Sequence, residues 1–459
     1  MKTILLFISL LLLIDGGMVN AKSTFTKRTK ENNLVRMTKT IANANGLNFA
    51  MGVYVLNAKG VANGSQIALR QGDIILAVNG REVNGPNEVS PEKIAREPGE
   101  IVNYKIWRDK KVHFLNLRKP TTSDIENSEQ FEVIYDEVPF FSGAIRCIVT
   151  KPKDIVKAPA ILLVQSGTSG SVCNVPAENL YRKLTDNLTQ RGYVCMRVER
   201  VGIGENFDQL ASDQVDILLE TLAFEKALHQ LKGYKFVDST QTFLFGHCTG
   251  GKICSLLAAR TPVKGVIVYG TCFHPTSEAL NNMLWHKLMN SKITPLQATN
   301  IMEECRYIID GILVKKMTPT AFAEINPELT AVMRKMFNWK GGDNFLGRNI
   351  MYTHSVEKMD NWIYLRHMNT NMLAIHGTAD SELTESGMVM EMVDAANYYR
   401  PGKATMVEIP KADHNFAKVG SLKKSLDLQK SKDYAIIASL VFDNEIVNSV
   451  DDWIKQINS

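Results

Sequence analysis

The chain has 459 residues, 45% of them hydrophobic and 22% charged, with a net charge of +5. That length exceeds one ordinary core and predicts roughly two to three domains. The positive charge is mild, spread along the sequence and forms no basic stripe with interleaved aromatics, so nucleic acid is not an expected partner.

Met1-Lys2 gives a positive start, 4–14 is almost wholly apolar, and Val19-Asn20-Ala21 offers small residues at cleavage positions. The pattern predicts a signal peptide over 1–21, cut after Ala21, and hence a secreted or periplasmic protein. The apolar run is shorter than the roughly 20 residues that cross a bilayer, so no stable membrane span is expected. No cysteine adjoins the cleavage site, which argues against a lipoprotein anchor. Lys22, Lys27, Arg28 and Lys30 read as a solvated linker.

Between about 30 and 120 the sequence shows short β-type runs and turn signals, centred on Gly72-Asp73-Ile74-Ile75-Leu76-Ala77-Val78-Asn79-Gly80. Asn79-Gly80 favours a tight hairpin. Gly46-Leu47-Asn48-Phe49 precedes the strand Val53-Tyr54-Val55, and 102–108 alternates like a late strand. Together these resemble a PDZ domain. The resemblance implies a loop in which Leu47, Asn48 and Phe49 offer backbone N–H groups to a peptide C-terminal carboxylate. It equally admits a scaffold without a ligand, or a domain that folds back on the rest of its own chain.

From about 130 to 459 the pattern changes to strands alternating with helices. Residues 131–152 read as a hairpin pair, followed by apolar runs at 161–164, 193–198, 242–245, 266–269, 372–375 and 405–409. Such runs, separated by helical segments, predict an α/β architecture whose largely parallel sheet is covered on both faces. Val215, Leu218, Leu219 and Leu222 have helical spacing and mark one crossover.

Gly246-His247-Cys248-Thr249-Gly250-Gly251 joins the strand ending at Phe245 to the helical pattern Ile253, Leu256, Leu257. A reactive side chain on a sharp strand-to-helix turn needs neighbours without Cβ atoms, which Gly246 and Gly250 supply. Cysteine stands at the position where serine is usual. A thiol at a helix N-terminus meets unpaired N–H groups and the positive end of the dipole, both favouring thiolate. Two further candidates follow at strand ends, Asp380 after His376-Gly377-Thr378-Ala379 and His414 after the last predicted strand. Nucleophile, acid, histidine is the chain order of the α/β-hydrolases, which the region 130–459 resembles.

That resemblance assigns roles. Cys248 attacks an acyl carbon, His414 manages the proton, and Asp380 fixes the ring of His414. Asp413 reads as a loop acid and Glu382 as a substitute for Asp380. The oxyanion takes the Thr249 N–H and a second donor from the turn Gln165-Ser166-Gly167-Thr168, either Ser166 or Gly167. Many relatives have His-Gly there, from which Gln165-Ser166 departs. Glu199-Arg200 reads as a salt-bridged loop shaping the site floor. Gly202-Ile203-Gly204 alone is weak evidence for a nucleotide, and no cofactor or metal is expected.

An insertion at about 275–370 is predicted to form a helical lid. Its methionines, including Met283, Met289, Met302, Met333, Met336, Met351, Met359 and Met368, and Trp285, Trp339 and Trp362, suit either an adaptable surface for an acyl chain or ordinary helix packing. Seven cysteines in an exported chain admit disulfides, and the odd count leaves one over, for which Cys248 is the natural choice. The other six, Cys147, Cys173, Cys195, Cys254, Cys272 and Cys305, lack metal-ligand spacing, and several sit in apolar runs that suit small buried hydrophobes.

Three functions are compatible with this reading. The first is a hydrolase acting on an ester, lactone or related acyl bond through a thioester, in the manner of the dienelactone hydrolases. The second is an acyltransferase passing the acyl group to an amine. The third is a silent protein that binds peptides through its PDZ-like part.

Overall fold

The computed structural model describes residues 34–459 apart from 49, 56–68, 70–71, 86–87, 90–100, 119–125, 127, 142, 168–170, 173–174, 176, 203–213, 384 and 432. The expected signal peptide, Phe49, Cys173, Thr168 and the Ile203-Gly204 turn lie outside the described residues. Among the described residues no helix is long and apolar enough to cross a membrane.

The N-terminal part forms an antiparallel sheet of strands β1 (Leu34–Arg36), β2 (Val53–Val55), β3 (Ile74–Val78), β4 (Arg81–Glu82), β5 (Ile101–Arg108) and β6 (Lys111–Arg118). Asn79 and Gly80 both have positive φ, 47° and 77°, so the β3–β4 connection is the tight turn that twisted hairpins favour.

Gly46 has a different role from the expected one. It adopts φ 71° just after the helix Lys39–Ala44. Its N–H donates to Asn43 O and that of Leu47 to Ala42 O, at 3.2 and 2.9 Å. This is a Schellman helix stop. Leu47 is buried with Met37, Ala42 and Ile74. Its N–H is therefore committed and is not available to a peptide carboxylate, which corrects the carboxylate-loop expectation at that residue. Asn48 is exposed.

The second sheet has eight strands: β7 (Phe131–Phe140), β8 (Gly143–Pro152), β9 (Ala158–Val164), β10 (Val194–Val198), β11 (Val237–His247), β12 (Gly265–Tyr269), β15 (Asn371–Gly377) and β16 (Ala404–Ile409), with the short hairpin β13 (Asn344–Phe345) and β14 (Arg348–Asn349) apart from it. Their spatial order is β16-β15-β12-β11-β9-β10-β8-β7. Only β8 runs against its two neighbours; the remaining pairs are parallel.

Alternate residues of one strand feed two cores. Leu244 packs under the helices Ile217–Gly233 and Thr249–Arg260, whereas Phe243 and Phe245 face Leu184, Leu188, Val450 and Trp453. Because both faces are covered, the strands read as unbroken apolar runs and not as alternating ones.

Between β12 and β15 the insertion carries helices Thr276–Met289, Pro295–Ile309, Pro319–Ile325, Thr330–Phe337, Ile350–Glu357 and Asn361–His367. It has its own core, including Leu284, Met302, Cys305, Phe322 and Met333. The methionines mostly serve packing: Met302 and Met333 fill that core, Met336 packs against it, and Met359 and Met368 join the main one. Met289 and Met351 are exposed, and Met283 alone of the eight lines the cavity described below. Trp339 is buried and Trp362 packs edge-on against Phe273. Of the two readings these residues admit, helix-bundle core is the one most of them take, because helical spacing turns most of these side chains toward one another.

Candidate active site

β11 ends at His247 and a helix begins at Thr249, leaving Cys248 on the bend with φ 55° and ψ −122°. A non-glycine residue held there carries about 1–3 kcal/mol of backbone strain, offset by surrounding contacts. The Cys248 N–H donates to Tyr269 O at 2.9 Å, and the Thr271 hydroxyl donates to Cys248 O at 2.9 Å. The glycines are sterically compelled. A Cβ at Gly250 would lie 2.0 Å from Val164 O, and one at Gly246 would lie 2.5 Å from Gly251 Cα.

His414 is buried, and its Nδ1–H donates to Asp380, with contacts of 2.9 and 3.1 Å to the two carboxylate oxygens. Asp380 Oδ1 also accepts the N–H groups of Glu382 and Leu383 at 2.8 and 2.7 Å. Gly270, at φ 57°, leaves room for this pair: a Cβ there would lie 2.8 Å from His414 Nδ1. Burial works against the charge on Asp380, yet His414 and the two N–H donors hold its carboxyl below the usual range. Burial also disfavours the imidazolium of His414, but Asp380, then Glu382 and Cys248, raise it well above the ordinary histidine value.

Glu382 occupies the other edge of the ring, with Oε2 3.2 Å from His414 Nε2. One ligand atom each from Cys248, Glu382 and His414 lies within 4.8 Å of the others. Asp413 points away: its carboxylate takes the N–H groups of Asn415 and Ala417 and the hydroxyl of Tyr434.

The turn after β9 separates the two candidate oxyanion donors. Ser166 N–H donates to Tyr181 Oη at 2.9 Å, so it is occupied. Arg200 donates to the carbonyls of Gln165 and Ser166. In a trans peptide this turns the Gly167 N–H away from Arg200. Gly167 abuts Thr249, since a Cβ on it would lie 2.9 Å from Thr249 Oγ1. Thr249 opens its helix, where N–H groups have no intrahelical acceptor. Gly167 and Thr249 are therefore the pair placed together, and Ser166 supports them.

A relay that sequence reading missed joins these parts. Ser166 N–H donates to Tyr181, the Tyr181 hydroxyl donates to His247 Nδ1 at 2.7 Å, and His247 Nε2–H donates to His414 O at 2.8 Å. Burial, then the neighbouring charge of His414, push His247 down to about 3, so it stays neutral and keeps this tautomer. His247 adjoins Cys248 in sequence, but nothing in the motif shows that it reaches Tyr181.

The site opens into a cavity of about 330 Å³ lined by Cys248, Gly167, Thr249, Glu382 and His414 together with an apolar wall of Ala279, Leu280, Met283, Leu346, Val356 and Leu383. Two cations missed in the sequence also line it. Lys252 is buried, donates to His274 O at 2.5 Å, and burial lowers its ammonium. Arg348, from the insertion, stacks over Tyr352, pairs with Glu220 at 3.5 Å and donates to Gly167 O at 3.4 Å. Arg200 shares that acid, its Nη1 lying 3.1 Å from Glu220 Oε1. The expected salt bridge of the Glu199-Arg200 loop thus runs to Glu220, while Glu199 accepts the Ser171 hydroxyl.

Among the described residues six cysteines are free, and Cys248 alone is not buried. Burial pushes the thiols of Cys147, Cys195 and Cys305 up to about 12. Cys254 and Cys272 are raised by the same cause. This suits the packing role expected of them.

No protein-family model matches the chain. It is 20% identical over 310 residues to Esterase EstD of Thermotoga maritima, covering 64% of this chain and 67% of that protein. It is 31% identical over 81 residues to the "Probable periplasmic serine endoprotease DegP-like" of Rhizobium meliloti, covering 18% of this chain and 16% of that protein. This chain thus spans less than a fifth of the latter's length. Among solved structures, Est1E from Butyrivibrio proteoclasticus superposes with a TM-score of 0.40 at 13% identity, covering 70% of this chain and 98% of that one. The strand order, with Cys248 on a strand-to-helix bend and Asp380 and His414 following later strands, is that of an α/β-hydrolase fold, preceded in the chain by a small antiparallel β-sheet.

Proposed function

We propose that the chain hydrolyses a carboxylic ester, lactone or related acyl bond through a thioester on Cys248. The single observation that carries this reading is the meeting of Cys248, His414 and Asp380 beside the Gly167–Thr249 donor pair at one end of an apolar-walled cavity.

The Cys248 thiolate attacks the acyl carbon, and the carbonyl oxygen gains the electron pair, facing the N–H groups of Gly167 and Thr249. On collapse, the bond to the leaving oxygen breaks and His414 Nε2–H gives that oxygen its proton. Water then loses a proton to His414, adds to the thioester, and the thiolate departs with the acid released. Asp380 keeps Nδ1 protonated throughout, which aims Nε2 at the reacting atoms. The apolar wall favours an uncharged acyl group next to the nucleophile. Met1 to Ala21 supports export, and the N-terminal sheet supports a PDZ-like accessory role.

The test is turnover of a panel of aryl and alkyl esters with graded acyl length, combined with mass spectrometry of the acylated protein. The label is expected on Cys248, and Cys248→Ala is expected to lose turnover. Unchanged turnover in that variant removes the assignment. Amide formed from an added amine would identify acyl transfer in place of hydrolysis.

A further inference from the structure

Glu382 has no part in the proposed chemistry, yet its carboxylate is held against the catalytic edge of His414, 3.2 Å from Nε2. Asp380 already fills the opposite edge. His414 is buried and its Nε2 makes no hydrogen bond among the described residues. The sulfur of Cys248 completes the group, and the three donor atoms lie within 4.8 Å of one another.

A thiolate sulfur, an imidazole nitrogen and a carboxylate oxygen are the donors zinc selects, at bond lengths of about 2.0–2.3 Å. In a tetrahedral shell such donors stand about 3.5 Å apart, so a contraction of at most about 1.3 Å closes the cluster. Glu382 can supply that movement because its side chain is 46% exposed, whereas His414 is fixed by Asp380. The Asp380-to-Nδ1 bond is also the outer contact that orients a metal-bound histidine and raises its basicity. With three protein donors, the fourth position stays open.

We propose that Cys248, His414 and Glu382 form a binding site for zinc, and that the bound ion holds the enzyme inactive by occupying the nucleophile and its base. Binding forms Zn–S, Zn–N and Zn–O bonds and releases the one proton that the Cys248–His414 pair holds on Nε2 beforehand. A sulfur donor discriminates against magnesium and calcium, which require oxygen shells. The site rests on the positions of three side chains and goes beyond the hydrolase reading.

The experiment uses the full chain stripped of metal, titrated with zinc by calorimetry and with cobalt(II) by absorption. One zinc per chain is expected, with a sulfur-to-cobalt charge-transfer band that disappears in Cys248→Ala. Glu382→Gln is expected to weaken zinc binding about tenfold or more at an unchanged melting temperature. Magnesium is expected to bind no more tightly to the wild type than to Cys248→Ala. No zinc binding at micromolar concentrations, a band that survives in Cys248→Ala, or equal affinity in Glu382→Gln and the wild type would each overturn the site. These readouts are independent of turnover, so an inactive preparation does not decide the question. In an active one, zinc is expected to inhibit wild type at lower concentration than Glu382→Gln.

Discussion

Tyr181→Phe removes one hydroxyl that two buried groups depend on. Ser166 N–H loses its acceptor and His247 Nδ1 loses its donor, at positions 8% and 1% exposed. Each buried group left unsatisfied costs about 1–3 kcal/mol, so the variant is expected to lose roughly 2–6 kcal/mol. Near the lower end, for a domain of about 330 residues, that corresponds to a melting temperature lower by about 3 °C. Turnover should fall as well, because Ser166, without the Tyr181 hydroxyl, shifts Gly167, the proposed second oxyanion donor. Removal of a whole donor costs about 100- to 1,000-fold, and displacement through Ser166 is expected to cost about tenfold or more, in kcat and not in KM. Calorimetric melting and steady-state kinetics on one ester measure both effects. A variant with wild-type melting and wild-type kcat would show that the tyrosine does not join the oxyanion turn to the elbow, and the relay would have to be abandoned.

Gly250→Ala places a Cβ 2.0 Å from Val164 O, a backbone atom of a central strand that cannot yield cheaply. A loss of about 1–3 kcal/mol and slower alkylation of Cys248 by iodoacetamide are expected; wild-type melting would contradict the elbow packing. In Asp380→Asn the imidazolium of His414, opposed by burial, loses its largest stabilising charge and gives up its proton at lower pH. With the thiolate–imidazolium pair as the proposed active form, the alkaline limb of kcat/KM moves down in pH and turnover falls roughly 100- to 10,000-fold. A pH–rate profile measured with chelator present tests this, and an unmoved limb would refute it.

The main sheet was readable because burial on both faces writes strands as continuous apolar runs, as at Ala158–Val164 and Gly265–Tyr269. The elbow was readable because steric exclusion leaves glycine as the one residue without a Cβ at 246 and 250. Gly46 misled for the same reason: a left-handed glycine serves a helix stop as readily as a carboxylate-binding loop, and the sequence carries the glycine but not its partners. Tyr181 and Arg348 escaped notice, and Arg200 was legible as a salt-bridging residue without its acid, because their partners are distant in the chain. Tyr181 and His247 are 66 residues apart, and Arg348 and Gly167 are 181 apart. Long-range polar pairing follows from how the segments stack, and no local spacing announces it.

Arg348 belongs to the insertion, whereas the acid it neutralises, Glu220, and the carbonyl it meets, Gly167, belong to the scaffold beneath. Roof and floor are thereby wired to a common electrostatic ground. Among the described residues, a chimera that exchanged 275–370 for a shorter cover would strip one of two cationic partners from a carboxylate with no access to solvent and leave it Arg200. Any redesign of the cavity through this segment must carry a cation to the place Arg348 occupies, or forfeit the alignment of the floor beneath it.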